Sequence, residues 1–73
     1  MMDVKAKIGL RIKTLRGKAG LSQLELSNLA DLDRTYINSV ENGKRNISIV
    51  NIEKIANALR ISMYEFFRGN EFK

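Results

Sequence analysis

The chain has 73 residues, enough for one small domain with a modest core. It contains no cysteine and no histidine, which excludes a disulfide framework, a zinc finger, a thiol nucleophile and imidazole acid–base catalysis. The net charge of +5, from 13 Lys and Arg against 8 Asp and Glu, indicates an anionic partner such as nucleic acid or a membrane surface. Apolar stretches are too short for a transmembrane helix or a secretory signal, so we expect a cytoplasmic protein with no membrane partner.

The first predicted helix occupies about residues 4–19. Its apolar residues recur three and four positions apart, which is the spacing of one helical face. They are Val4, Ile8, Ile12, Leu15 and Ala19. The basic residues, among them Arg11, lie mostly off this face, and Gly20 suits the left-handed position that ends a helix.

A second helix is predicted to begin at Ser22, because Ser22 and Glu25 form a Ser-x-x-Glu capping box. The residues expected on its buried side are Leu26, Leu29 and Ala30. A tight turn over 31–33 follows, and Asp33 caps a third helix that ends at Asn42 and Gly43. The inward residues of the third helix are Ile37 and Val40.

Two further helices complete the prediction. Ser48 caps the fourth, and a second capping box, Ser62 with Glu65, opens the fifth, which ends at Gly69. The expected apolar positions are Ile49, Ile52, Ile55, Ala56 and Leu59 on the fourth helix, and Met63, Phe66 and Phe67 on the fifth. Residues 70–73 are expected to fray. With no alternating apolar pattern, we predict one all-α domain over 1–73, a compact five-helix bundle with helices four and five at about 48–68.

Residues 22–42 then form a helix-turn-helix, a pair that also occurs as a plain structural corner. The residue pattern is more specific. It runs Gly20-Leu21-Ser22-Gln23-x-Glu25-Leu26, then Leu29-Ala30, Ile37 and Val40-Glu41-Asn42-Gly43-Lys44. It resembles the phage Cro/repressor-type family of DNA-binding domains, the lambda-repressor-like fold. The resemblance implies a third helix that lies in the DNA major groove.

Three positions depart from the family pattern. Ser27 stands where a small alanine is usual, and Asp31 and Arg60 stand where glycine is common. We expect Asp31 and Arg60 to adopt positive φ at a cost of about 1 kcal/mol each. A narrower similarity, over 32–37 and 43–46, is to the small controller proteins of restriction–modification systems.

The outward positions of the third helix are candidate base-reading residues, namely Arg34, Thr35, Asn38 and Ser39. Arginine can bind guanine, asparagine can bind adenine, and threonine offers a hydroxyl and a methyl group. The candidate phosphate-positioning residues are Ser22, Gln23, Tyr36, Lys44, Arg45 and Asn46. Each set is also compatible with an ordinary polar surface, and Tyr36 with packing beside Val40.

Two further sets of residues are assigned to roles other than DNA contact, namely an ion pair and an apolar surface. Arg16 and Glu41 border the apolar faces of the first and third helices, and family members carry a partly buried ion pair at the matching positions. Five apolar residues are candidates for exposure: Ile47, Val50, Tyr64, Phe67 and Phe72. Of these, we predict that Val50, Tyr64 and Phe67 form a homodimer interface. These apolar residues are equally compatible with closing the base of the core.

The leading functional hypothesis is a sequence-specific transcriptional regulator that binds double-stranded DNA as a homodimer on a partly symmetric operator. The alternative is an antitoxin-type protein whose main partner is a toxin. A membrane-surface role for residues 4–19 is disfavoured by glycines at 9 and 17 and by the absence of aromatic residues there. Scattered acids and the lack of a glycine-rich phosphate loop argue against an enzyme, and no cofactor, metal or small-molecule effector is indicated.

Overall fold

The computed structural model describes residues 2–73 and confirms the all-helical, five-helix fold. The helices are α1 (Val4–Lys18), α2 (Gln23–Ala30), α3 (Arg34–Glu41), α4 (Ile49–Ala58) and α5 (Met63–Phe67), followed by a 3-10 helix at Asn70–Phe72. Residues 2–73 contain no β-strand. Within the same range, no helix has the length and apolar character needed to cross a membrane.

Each of the five α-helices is preceded by a capping residue whose side chain accepts a hydrogen bond from a backbone N–H in the first turn of the helix. The caps are Asp3, Ser22, Asp33, Ser48 and Ser62. Ser22 and Glu25 form the complete capping box that the sequence predicts. The second predicted box is wrong in one half: Ser62 Oγ accepts from the Glu65 N–H, but the Glu65 carboxylate accepts from Arg68 Nη1 at 2.6 Å.

Four residues adopt left-handed backbone conformations where helices end. Gly20 and Gly43 both have φ of 71°, Asp31 has φ of 55° and Arg60 has φ of 59°. Asp31 and Arg60 are the positions at which the related family commonly has glycine. The expected positive φ is therefore present at both, and the chain turns there without glycine.

The core lies where α2, α3 and α4 meet the inner face of α1 and α5. Its members are Ile12, Leu26, Ala30, Ile37, Val40, Ile52, Ile55, Ala56 and Phe66. Ser27 is buried among them. Its hydroxyl donates to the Leu24 carbonyl at 2.7 Å, so the one donor of this polar side chain has a hydrogen-bond partner.

Several predicted core positions are instead exposed. Val4 is 64% exposed, Ile49 62% and Leu29 61%. Val4 and Ile49 are the first residues of their helices, beyond the part that neighbouring helices cover. Ala19 is likewise exposed, because α1 ends before it. At these helix ends the predicted face is correct but the predicted stripe is too long. Leu29 lies within α2 and is wrong for another reason, since the buried face of α2 is formed by Leu26, Ser27 and Ala30.

The C-terminal residues do not fray as predicted. The 3-10 helix brings Phe72 to 5.3 Å from Phe67 and 6.3 Å from Phe66, measured between ring centroids. Phe72 and Ile47, both predicted as candidates for exposure, are partly buried against the core. Apolar contact therefore holds the end of the chain against α5.

Candidate nucleic-acid interface

The two faces of α3 differ sharply in burial. Ile37 and Val40 are fully buried, which fixes the helix on the core. Arg34, Thr35 and Asn38 are exposed on the other side, whereas Ser39 is half-buried. Three of the four residues predicted to read bases therefore lie on an open surface, and Ser39 lies at its edge.

The beginning of α2 lies beside this surface. Gln23 lines one open depression together with Arg34, Thr35 and Asn38. Ser22 uses its hydroxyl oxygen to accept from the Glu25 N–H at 3.0 Å. The first N–H groups of a helix have no partner within it, so the start of α2 can donate to an anion beside α3.

A basic turn follows α3 along the chain. Lys44, Arg45 and Asn46 are all exposed. The turn is held by two backbone bonds, in which Gly43 N–H donates to Val40 O and Lys44 N–H donates to Ser39 O, each at 3.0 Å. Predicted phosphate-binding groups thus lie at the start of α2, beside Asn38, and in the turn that follows α3.

Tyr36 joins this turn to α4. Its hydroxyl accepts a hydrogen bond from Asn51 Nδ2 at 3.1 Å, and the Arg45 guanidinium lies 4.9 Å from the centroid of its ring. Because the hydroxyl already accepts from Asn51, its own hydrogen remains free to donate. Tyr36 is half-buried, so it both packs and presents a donor.

Arg16 and Glu41 form a two-bond ion pair between α1 and α3. Arg16 Nε lies 2.7 Å from Glu41 Oε2, and Nη2 lies 2.9 Å from Oε1. Arg16 Nη1 also donates to the Leu21 carbonyl at 3.0 Å. The hydrogen bond with Glu41 raises the pKa of Arg16 and outweighs the opposing effect of burial.

Side-chain amides continue from this pair to the surface. Gln23 Nε2 donates to Glu41 Oε1 at 3.0 Å, Asn38 Nδ2 donates to Gln23 Oε1 at 3.2 Å, and Asn42 Nδ2 donates to Asn38 Oδ1 at 3.2 Å. Gln23 and Asn38, which are predicted to bind phosphate and base respectively, are thus hydrogen-bonded to each other in the free protein.

The predicted dimer residues are exposed. Tyr64 is 73% exposed, Val50 59% and Phe67 39%. Val50 lies in the first turn of α4, and Tyr64 and Phe67 lie three residues apart on α5, which packs against α4. Their exposure is compatible with the predicted homodimer interface.

Sequence reasoning missed two residues with structural roles, one that contacts the interface residue Tyr36 and one that holds α5. Asn51 holds the Tyr36 hydroxyl, and buried Arg11 donates to the Phe66 and Glu65 carbonyls, each at 2.7 Å. The signal for Arg11 was available: it lies three residues after Ile8 and four before Leu15, within the apolar stripe. No local pattern marks Asn51, because its partner lies on another helix.

The model of the helix-turn-helix family matches residues 12–66, and the chain belongs to that family. Control protein C.MunI of Mycoplasma sp is 50% identical over 72 residues, covering 97% of each chain. The crystal structure of the restriction–modification controller protein C.AhdI from Aeromonas hydrophila superposes with a TM-score of 0.83 at 49% identity, covering 86% of this chain and 96% of that one.

A second solved structure includes DNA. It contains the restriction–modification controller protein C.Esp1396I as a tetramer in complex with its natural 35 base-pair operator. Its chain is 34% identical to this one and superposes with a TM-score of 0.85, covering 92% of this chain and 88% of that one. The similarity to controller proteins stated for the sequence is therefore confirmed.

Proposed function

We propose that this chain is a sequence-specific DNA-binding transcriptional regulator that acts as a homodimer on a partly symmetric operator. The observation that carries this proposal is the exposed face of α3, where Arg34, Thr35 and Asn38 stand opposite a fully buried face. A helix so mounted fits the major groove of B-DNA, in which all four base pairs can be distinguished.

The residues of this interface divide by their distance from the base edges. Arg34 offers the donors that bind guanine O6 and N7, and Asn38 offers the donor and acceptor that suit adenine. We expect the start of α2 and the basic turn after α3 to face the two phosphate backbones that border the groove. Lys44 and Arg45 there attract every DNA sequence alike.

The regulated genes are those of a restriction–modification system. Both C.MunI and C.AhdI are about half identical to this chain; C.MunI is named a control protein, and C.AhdI a restriction–modification controller protein. The regulator works in the cytoplasm, where bacterial operators lie, and performs no catalysis. Nothing in the interface or in the relatives favours the antitoxin alternative.

Footprinting on the DNA upstream of the chain's own gene tests this function. We expect protection of a short, partly symmetric sequence, and no comparable protection of a random fragment at the same salt concentration. Uniform weak protection of both fragments would contradict sequence-specific regulation. Tight binding of a neighbouring toxin, without any footprint, would favour the antitoxin alternative.

A further inference from the structure

A line of hydrogen bonds runs from the interior of the molecule to the exposed face of α3. It begins at the ion pair of Arg16 with Glu41 and continues through the amides of Gln23, Asn38 and Asn42. The Glu41 side chain is 2% exposed, whereas Asn38 and Asn42 are exposed. The line therefore connects a buried charge with residues at the candidate DNA surface.

The inner end of this line determines the direction of every bond in it. A carboxylate accepts only, and a guanidinium donates only, so Gln23 must turn its NH2 group toward Glu41. Its Oε1 then faces Asn38, which must turn its own NH2 group toward Gln23. Asn38 Oδ1 in turn accepts from Asn42. Reversing a single amide would place two donors or two acceptors against each other.

We propose that Glu41 is a positioning residue for DNA reading, because it fixes the direction in which the amides of Gln23 and Asn38 face the DNA. The proposal rests on the proposed function. With this direction, Gln23 keeps one N–H free beside the start of α2, where a phosphate oxygen accepts it. Asn38 keeps one N–H and one lone pair of Oδ1, the combination that adenine N6 and N7 require.

Glu41 exerts this effect without touching DNA. Its Oε1 already accepts from Arg16 Nη2 and Gln23 Nε2, and its Oε2 accepts from Arg16 Nε. Gln23 is the side chain that links Glu41 to Asn38 on the exposed face of α3, so the effect of Glu41 on the direction of these amides passes through Gln23. This distinguishes Glu41 from a residue that merely stabilises the fold, whose removal would weaken binding to all DNA alike.

The first test uses the free protein and the NMR signals of its side-chain NH2 groups. Gln23→Met leaves the ion pair in place, so the protein should fold normally while the Asn38 and Asn42 signals shift. Glu41→Gln should shift the signals of Gln23 and Asn38. Exposed Asn57 on α4 is outside the line and should not change in either variant. Unchanged Asn38 signals in Gln23→Met would overturn the proposal.

The second test compares binding to operator and to random DNA at one salt concentration. Gln23→Met and Glu41→Gln should each lower the preference for operator by about tenfold. The double variant should lose no more, because both changes break one line. Ile55→Val, a mild change in the core, controls for reduced stability and should retain the preference.

The two tests separate failure of this proposal from failure of the function. If the effects of Gln23→Met and Glu41→Gln multiply in the double variant, Glu41 acts independently of Gln23 and the proposal is wrong. If the unmodified protein shows no preference for operator, the proposed function is wrong. The NMR test then still decides whether Glu41 directs the amides.

Discussion

Two largely buried arginines of α1 connect this helix to α3 and α5. Arg16 bonds Glu41 of α3 through two nitrogen atoms, and Arg11 donates to two carbonyls at the end of α5. Arg11 also lies 3.8 Å from the Glu71 carboxylate, which ties down the C-terminal 3-10 helix. These cations bind protein groups, and the proposed DNA contacts therefore involve other basic residues, among them Arg34 and Lys44.

Arg16→Ala should lower the stability of the free protein. It leaves the Glu41 carboxylate buried without its cation, at a cost of about 3 kcal/mol. For a domain of this size the melting temperature should fall by at least about 10 °C. Thermal unfolding followed by circular dichroism measures this, with exposed Lys13→Ala as the control. An unchanged melting temperature with loss of DNA binding would show that Arg16 contacts DNA instead.

Glu25 should make stability depend on pH. The Ser22 N–H donates to its carboxylate at 2.9 Å, and this bond lowers the pKa of Glu25 in the folded protein. The stabilisation is therefore complete above the ordinary glutamate pKa of about 4.3 and is lost as the pH falls through the lowered value. Denaturant unfolding between pH 6 and 3 should show a steeper loss for the unmodified protein than for Glu25→Gln. Parallel curves would contradict this.

Helices α1 and α3 come into close backbone contact at Gly9. A methyl group there would overlap the Val40 carbonyl oxygen and lie 2.8 Å from that of Glu41. The same helix contains Gly17, where a methyl group would meet no atom within 4 Å. This contact fixes the end of α3 and hence the start of the basic turn.

Alanine at these two glycines should have opposite effects. Gly9→Ala should destabilise the protein by about 1–3 kcal/mol or more, because backbone must move. Gly17→Ala should stabilise it by about 0.5–1 kcal/mol, because alanine restricts the unfolded chain and fits a helix. Urea unfolding of both variants measures the difference. Equal effects would show that α1 and α3 do not cross at Gly9.

Local signals predicted the elements better than they predicted burial. Caps such as Ser22 and Ser48 act within one turn, so the sequence alone locates the helix starts. Which side chains are covered depends on other helices, and Leu29 and Phe72 were therefore misassigned. The amide line from Glu41 was not predictable for the same reason: its members come from α1, α2 and α3, and only the fold brings them together.

The whole molecule measures 31 × 23 × 22 Å and carries a single α3. Successive major grooves on one side of DNA lie about 34 Å apart, so a two-fold operator needs two copies. The exposed apolar side chains of α4 and α5 offer a surface through which two copies can associate.

Val50→Asp and Tyr64→Asp should each shift the proposed dimer to a monomer, because each places a charge in the proposed apolar interface. Sedimentation equilibrium without DNA at micromolar concentration measures the change. Leu29→Asp is the matched control, since Leu29 is equally exposed but lies on α2. An unmodified protein that remains monomeric at high micromolar concentration would contradict this interface, as would dissociation caused by Leu29→Asp alone.

Competition titration with operator and random DNA at several salt concentrations measures whether α3 reads bases while the segments beside it bind phosphates. Arg34→Ala should reduce operator binding by about 1–3 kcal/mol and leave binding to random DNA much less affected. Lys44→Ala should weaken both and make the salt dependence shallower by about one counterion. Equal loss of operator and random binding in Arg34→Ala would contradict a base-reading α3.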